Sequence, residues 1–212
     1  MSHSIAEIKK SLNGGGARPN LFEVEFPSKG QGSTFTFEGG SDTELDARIL
    51  VKAAQLPASN VASIDVPFRG RIMKVAGDRT FDTWTVTVIN DVDFNLRTSF
   101  QNWMQKIAQY ADASGEANPT DYKSTAKVRQ LGRLASDTGT TSKAGLESVY
   151  EYTFFGIFPT NISAIDLSYD TADTIEEFTV EFQVDYWAPT FNKDGSSVTD
   201  NVDTTSQIQG SR

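Results

Sequence analysis

The chain has 212 residues, enough for one domain with a substantial buried core. It has no cysteine and one histidine, His3, so disulfides and thiolate chemistry are excluded, and the commonest general base is almost absent. Its formal net charge is −9 and the terminal segments are nearly balanced, so the folded body is acidic, unlike proteins that grip nucleic acid by its phosphates. Without a long apolar run or a signal-peptide pattern, we expect a soluble, unexported protein that does not contact membranes.

The N-terminal part predicts an arm followed by the first strands of a β-rich body. Apolar residues spaced three and four apart predict a short helix within residues 1–16, ended by a run of glycines. Apolar and polar residues alternate from Asn20 to Phe26 and from Thr34 to Phe37, which predicts two half-buried strands with a turn at 27–32. We expect residues 39–51 to form an exposed loop or a short helix.

The centre of the chain predicts a strand followed by the main helix. Thr83–Asn90 alternates threonines with large apolar residues, the pattern of a strand with one buried face. Apolar residues then recur at helical spacing and predict a helix at about 94–111, with Asp91 and Asp93 as candidate N-caps. The predicted apolar stripe of this helix comprises Leu96, Phe100, Trp103, Met104, Ile107, Tyr110 and Ala111.

Three further strands are predicted near Tyr122–Leu131, Ser148–Phe158 and Ile175–Trp187. In the last of them large apolar side chains alternate with polar ones over ten residues. The polar segment 189–212 has too few large apolar side chains to offset its ordering entropy, so we expect a flexible tail. The predicted organisation is therefore the arm 1–16, a single β domain at 17–188 and this tail.

No local motif points to catalysis, to a metal or to a cofactor. The glycines at 14–16 are not followed by the Gly-Lys-Ser/Thr of a phosphate loop. Asp78 and Arg79 are more typical of a salt-bridged turn, and Asp91 with Asp93 lacks the glycine and glutamate of a calcium loop. The tryptophans favour core packing over a sugar-stacking platform: Trp84, Trp103 and Trp187. We therefore expect no enzyme activity, no bound metal and no cofactor.

Several stretches between residues 17 and 187 resemble one family when read together in their order. They are Ala17–Glu25, Val75–Val88, Ile89–Asp91, Tyr122–Ala126, Val128–Gln130, Phe158–Asn161, Phe178–Val180 and Asp185–Trp187. This set resembles the tail tube proteins of large contractile-tailed bacteriophages. The resemblance implies a mainly β, sandwich- or barrel-like fold with one flanking helix, whose strands join a closed lumenal sheet in a six-fold ring.

The resemblance also implies a function and a set of partners. The chain would be a structural subunit whose rings stack into a hollow tube inside a contractile sheath and conduct DNA during ejection. Its partners would be other copies of itself, the tail sheath protein, the baseplate or tube initiator, the tail terminator, the tape-measure protein and transiently passing DNA. It would be assembled in the host cytoplasm and reside in the virion tail. The resemblance assigns no role to 39–51, 132–147 or 189–212.

We expect the polar faces of the strands to line the channel. Hydroxyls and carboxylates stay hydrated, and carboxylates repel a passing polyanion, which makes a wall to which DNA does not adhere. The residues expected at this wall are Glu23, Glu25, Thr83, Thr85, Thr87, Thr179, Glu181, Gln183 and Asp185.

Two other functions remain open from the sequence. The nearer one is a tube of the same architecture in a secretion or bacteriocin system, which delivers protein instead of DNA. The other, of a different class, is a monomeric β-sandwich that binds carbohydrate or calcium. Exposed tryptophans and a monomeric state in solution would favour that second alternative.

Overall fold

The computed structural model describes residues 5, 7–8, 17–26, 48–112, 114–135, 146–170, 173–193 and 196–199. The described residues are mostly β, as the sequence predicts. Residues 5, 7 and 8 are helical, as are residues 48–50. The predicted strand at 34–37, the turn at 27–32 and most of the loop 39–51 lie outside the described residues.

The strands and helices have the following bounds. The strands are β1 (Phe22–Glu25), β2 (Val51–Ala54), β3 (Ser59–Phe68), β4 (Arg71–Phe81), β5 (Trp84–Ile89), β6 (Ser124–Ala135), β7 (Leu146–Ile162), β8 (Glu177–Gln183), β9 (Tyr186–Lys193) and β10 (Ser196–Thr199). The helices are α1 (Asn95–Ile107) and α2 (Pro119–Tyr122).

The chain divides into two compact units. Unit 1 comprises Met1–Glu23, Lys127–Thr153 and Ala188–Arg212, and unit 2 comprises Val24–Ala126 and Phe154–Trp187. The strands β1, β6, β7 and β9 contribute residues to both units. β9 and β10 extend past residue 188, where the sequence predicts the body to end.

Eight strands form one sheet, and β3 and β4 form a separate hairpin. The strand order of the sheet is β1-β6-β7-β8-β5-β2, with β9 pairing to β7 and β10 pairing to β9. β5 and β8 are antiparallel, with Trp84 opposite Phe182 at one end and Ile89 opposite Glu177 at the other. β1 and β2, each of four residues, are the terminal strands of this order.

An aromatic cluster forms the core of unit 2. Trp84 stacks on Phe154 with ring centroids 4.5 Å apart, and Phe182 lies 5.2 Å from Trp84. The helix α1 packs Phe100 and Trp103 against the same Phe182 ring. Burying each such side chain contributes about 1.5–3 kcal/mol, so this cluster holds the helix on the sheet.

The helix α1 is shorter than its predicted span. It ends at Ile107, and Tyr110 beyond it is exposed. Its N-cap is Phe94, with φ of 56° and no side-chain cap, so the prediction that Asp91 or Asp93 caps the helix is wrong. The amide of Phe94 donates to the carbonyl of Asp91 instead, which turns the chain into the helix through its backbone.

β3 and β4 form a long hairpin that the sequence analysis missed. Its turn is Arg69-Gly70, both with positive φ, as type I′ hairpin turns require. Nearly every residue of both strands is exposed, including Phe68 and Ile72, each at 65 %. The hairpin therefore packs little against the rest of unit 2.

The predicted strand at 175–187 is divided in two. β8 ends at Gln183 and β9 begins at Tyr186, with a bend at Asp185 between them. The amide of Asp185 donates to the carbonyl of Phe155, beside Gly156, whose φ is +66°. Tyr186 is exposed although its position in the alternation predicts burial, because the bend changes the phase of the alternation.

Candidate functional site

The polar face of β5 and β8 in unit 2 brings together part of the expected wall. Thr85 lies opposite Glu181, and Thr87 lies opposite Thr179. The residues between them, such as Val86 and Val180, are fully buried, whereas these four are only half-buried. The strand period of two thus separates an apolar core from a polar face, as the alternation predicts.

Hydrogen bonds from β7 and the residues after it fix this face. The Thr160 hydroxyl donates to the carbonyl of Glu181 over 3.2 Å. The amide of Thr179 donates to the Ser163 hydroxyl over 2.9 Å, and the amide of Ser163 donates to the carbonyl of Thr179 over 2.8 Å. These hydrogen bonds hold the backbone of β8 on the side away from β5. The polar side chains of β8 therefore project from a rigidly held strand.

Cations accompany two carboxylates of unit 2, which the sequence did not predict. Arg48 Nη2 lies 3.0 Å from Glu25 Oε1, and the Lys52 ammonium pairs with Glu177 on β8. Within the described part of the chain no cation forms an ion pair with Glu181. The polar face of β5 and β8 is therefore of mixed charge, and among its described carboxylates Glu177 is paired with a lysine while Glu181 is not.

In unit 1, Glu23 belongs to a cluster of charged side chains. Arg129 Nη1 lies 3.6 Å from Glu23 Oε2, and Arg129 Nε donates to Glu151 over 2.7 Å. Lys127 Nζ lies 3.4 Å from the other Glu151 oxygen. Burial raises the pKa of Glu151, but the Arg129 hydrogen bond and the charges of Lys127 and Arg129 together outweigh it and hold the pKa below its ordinary value. Glu23 is thus partly neutralised.

The remaining expected wall residues stand at the ends of strands. Thr83 is exposed and precedes β5, and Gln183 is exposed at the last position of β8. Asp185 lies in the bend after β8, where both of its carboxylate oxygens accept from the Lys123 ammonium. The alternation of the sequence predicts Asp185 on the same face as Glu181. In the structure, the bend gives Asp185 contacts that Glu181 does not share.

Two tryptophans are unsuited to ligand stacking. Trp84 and Trp103 are fully buried, and the Trp103 indole donates to the carbonyl of Tyr122. Trp187 is half-buried and meets Phe81 edge-on at 5.9 Å. Their placement gives no support to a sugar-binding platform.

The described residues show neither a metal-binding cluster nor a membrane-spanning helix. Among them, no group of three or more acidic or imidazole side chains could hold a metal ion. In the same residues, no helix is both long and apolar enough to cross a bilayer.

The sequence matches a known protein family. The sequence model described as phage tail tube protein matches residues 17–190. The chain is 38 % identical over 184 residues to the tail tube protein gp19 of Enterobacteria phage T4, covering 86 % of this chain and 98 % of that protein.

Solved structures of contractile systems share the fold. A chain of the sheath-tube complex of an extracellular contractile injection system, PVC, superimposes with a TM-score of 0.53 at 15 % identity, covering 90 % of this chain and 100 % of that one. A chain of the six-fold symmetrised baseplate of the anti-feeding prophage superimposes with a TM-score of 0.56 at 10 % identity, covering 82 % and 95 %. The family match and the identity to gp19 carry the assignment, and the fold agrees with them. The chain belongs to the phage tail tube protein family.

Proposed function

We propose that the chain is the structural subunit of a contractile phage tail tube, and that it forms rings of six that stack into a DNA-conducting channel. The six-fold symmetry is that of the anti-feeding prophage baseplate, which has a chain of the same fold. Closure of six sheets into one wall requires each copy to pair at both sides of its sheet. The terminal strands β1 and β2 are the elements through which neighbouring copies would meet.

The polar face of β5 and β8 supports this function best. Its centre consists of two cross-strand pairs, Thr85 with Glu181 and Thr87 with Thr179. We assign this face to the channel wall, because its hydroxyls keep the wall hydrated and Glu181 repels phosphate. The ion pairs of Glu25 and Glu177 weaken the acidity of the wall without adding an unpaired cation to which DNA could adhere.

The other expected wall residues have less direct support. Glu23 and Glu25 flank the buried Val24. We propose that both belong to the wall as salt-bridged carboxylates. Thr83 and Gln183 would extend this polar face at the ends of β5 and β8. Asp185 would border the wall, because its carboxylate is held by Lys123 at the bend.

The proposed partners follow from the tube and from the related contractile structures. Their chains come from a sheath-tube complex, a sheath/tube terminator and a baseplate. We propose that this chain likewise contacts a sheath, a terminator and a baseplate initiator, and that a tape-measure protein occupies the channel before DNA does. Assembly would take place in the host cytoplasm. We propose a structural role for the chain and no catalytic one.

The 38 % identity to a phage protein favours DNA as the cargo over protein delivery. Reversal of charge at the wall tests this proposal. In phage particles that carry Glu181→Lys, tubes should still assemble, and genome ejection should slow several-fold because stacked rings of lysine attract phosphate. Ejection kinetics from single particles, with microscopy of the tails, measure both effects.

The matched control is Glu116→Lys, which makes the same charge change at an exposed residue between α1 and α2. It should leave ejection unchanged. If Glu181→Lys particles with intact tails eject at the wild-type rate, the wall assignment is wrong.

A further inference from the structure

In unit 1, the short strand β10 covers the edge of β9. β9 pairs with β7 and with β10, and within the described part of the chain β10 pairs with β9 alone. The antiparallel pairing runs from Ser196 opposite Lys193 to Thr199 opposite Thr190. All of β10 is therefore used on the second half of β9.

The first half of β9 is unsuited to pairing because of its own sequence. Pro189 directly precedes the paired half, and a proline has no N–H to donate to another strand. Tyr186 begins β9 directly after the bend and stacks on Phe155, with ring centroids 4.7 Å apart. Residues 190–193 are therefore the part of this edge that could accept another strand, and β10 covers all four of them.

The sequence of the β9–β10 hairpin suits a strand that covers an edge. Two residues separate the strands, Asp194 and Gly195, and Asp-Gly favours a two-residue hairpin turn. β10 has four residues with the sequence Ser-Ser-Val-Thr, and Asp200 follows it. Very short edge strands and charged residues are two means by which natural sheets avoid pairing with other chains.

β10 lies outside the residues that match the tail tube family. The match ends at residue 190, whereas β10 begins at Ser196. The covering strand is therefore an addition to the part of this chain that the family model describes.

We infer that β10 is an edge-covering strand that prevents a second copy of this chain from pairing along β9. Without β10, the backbone N–H and C=O groups of residues 190–193 would be open to an extended strand. The occupant would be β9 of another copy, because two identical edges can pair antiparallel about a two-fold axis without a second kind of surface. This role belongs to the free chain and does not depend on the proposed tube.

Two shortened chains test the inference. A chain that ends at Lys193 lacks β10, whereas a chain that ends at Thr199 keeps β10 and loses only the residues after it. Without a baseplate initiator, the first should self-associate at a concentration at least about tenfold below that of wild type. The second should match wild type. Sedimentation velocity measures both, and equal behaviour of the two shortened chains would overturn the inference.

A full-length variant separates the loss of pairing from the loss of chain. Val198→Pro removes an N–H from β10 and should self-associate as the chain ending at Lys193 does, whereas Val202→Pro, outside β10, should match wild type. Circular dichroism checks that both variants are folded. A folded Val198→Pro variant that self-associates no more than wild type would contradict the role of β10.

Charge on β9 tests where the copies meet. Thr190→Lys/Asn192→Lys in the chain ending at Lys193 should return its self-association to the wild-type level, because lysines on an open edge oppose pairing with another strand. If the lysines leave the self-association unchanged, the copies meet elsewhere and the inference is wrong.

Discussion

The Lys123 ammonium lies 2.7 Å from Asp185 Oδ2, at the bend where β8 ends and β9 begins. Both oxygens of Asp185 accept from this lysine, and its backbone amide donates to the carbonyl of Phe155. The neighbouring Gly156 has a positive φ, and a Cβ there would overlap the Asp185 carboxylate. Asp185 therefore fixes a corner of unit 2 that only a glycine in β7 can accommodate.

Gly156→Ala should destabilise the protein more than Gly70→Ala does. Gly70 also has positive φ, but an added Cβ meets nothing there, so its substitution costs only about 1–2 kcal/mol of backbone strain. At Gly156 the overlap with Asp185 adds to that strain. Denaturant unfolding measures the difference, and Asp185→Ala in the Gly156→Ala background should recover the part due to overlap. Equal losses at the two glycines would contradict this account.

Removal of the Lys123 ammonium should have a small effect on stability. Its ion pair with Asp185 is partly exposed on both sides, and such pairs are worth about 0.2–1 kcal/mol. Lys123→Met, Asp185→Asn and the double variant form a cycle whose coupling energy should fall in that range. A coupling near zero would show that the corner is held by its backbone alone.

Stability should fall in acid partly through Glu151. Its pKa is depressed in the folded state, so its stabilising contribution is complete above the ordinary glutamate value of 4.5 and is lost as the pH falls through the lower folded pKa. Glu151→Gln should therefore show a shallower loss of unfolding free energy below pH 4.5 than wild type. Arg129→Gln, which removes the hydrogen bond that lowers the pKa, should be shallower too. Parallel pH profiles for all three proteins would contradict the proposed role.

Two phenylalanines that differ in burial should differ in their effect on stability. Phe182 is fully buried among the core rings, so Phe182→Ala should cost about 3–5 kcal/mol of unfolding free energy. Phe68 is exposed at the hairpin tip, so Phe68→Ala should stay within about 0.5 kcal/mol of wild type. Thermal unfolding of the two variants and of the wild type measures both effects. Equal losses of stability in the two variants would contradict the difference in burial.

Residues with a regular period were predicted well from the sequence. The alternation around Trp84 and Phe182 predicted two strands with the correct buried face, because burial on one side enforces the period of two; their pairing comes from the structure. The helical spacing of Leu96, Phe100 and Trp103 correctly predicted α1. Its predicted end was too late, because an apolar Tyr110 can continue a pattern after the backbone has left the helix.

The features missed by the sequence analysis depend on contacts or conformations that a periodic pattern does not encode. The sequence has a glycine between two apolar runs at the position of the Arg69-Gly70 turn. It does not show that these runs are exposed, because exposure depends on how little the described part of unit 2 packs against them. The bend at Asp185 depends on Lys123 and Gly156, which are distant in sequence. The cations Arg48 and Lys52 also come from other elements, so the sequence predicted acidic side chains without the ion pairs that the structure shows.

A density map of tubes assembled from the purified wild-type chain tests the central claim most directly. We expect hollow six-fold tubes in which the β5–β8 face, with Thr85 and Glu181, borders the channel. Tubes with Glu181 on the outer surface would contradict the wall assignment. A chain that stays monomeric at every concentration, even with a baseplate initiator present, would contradict the tube itself.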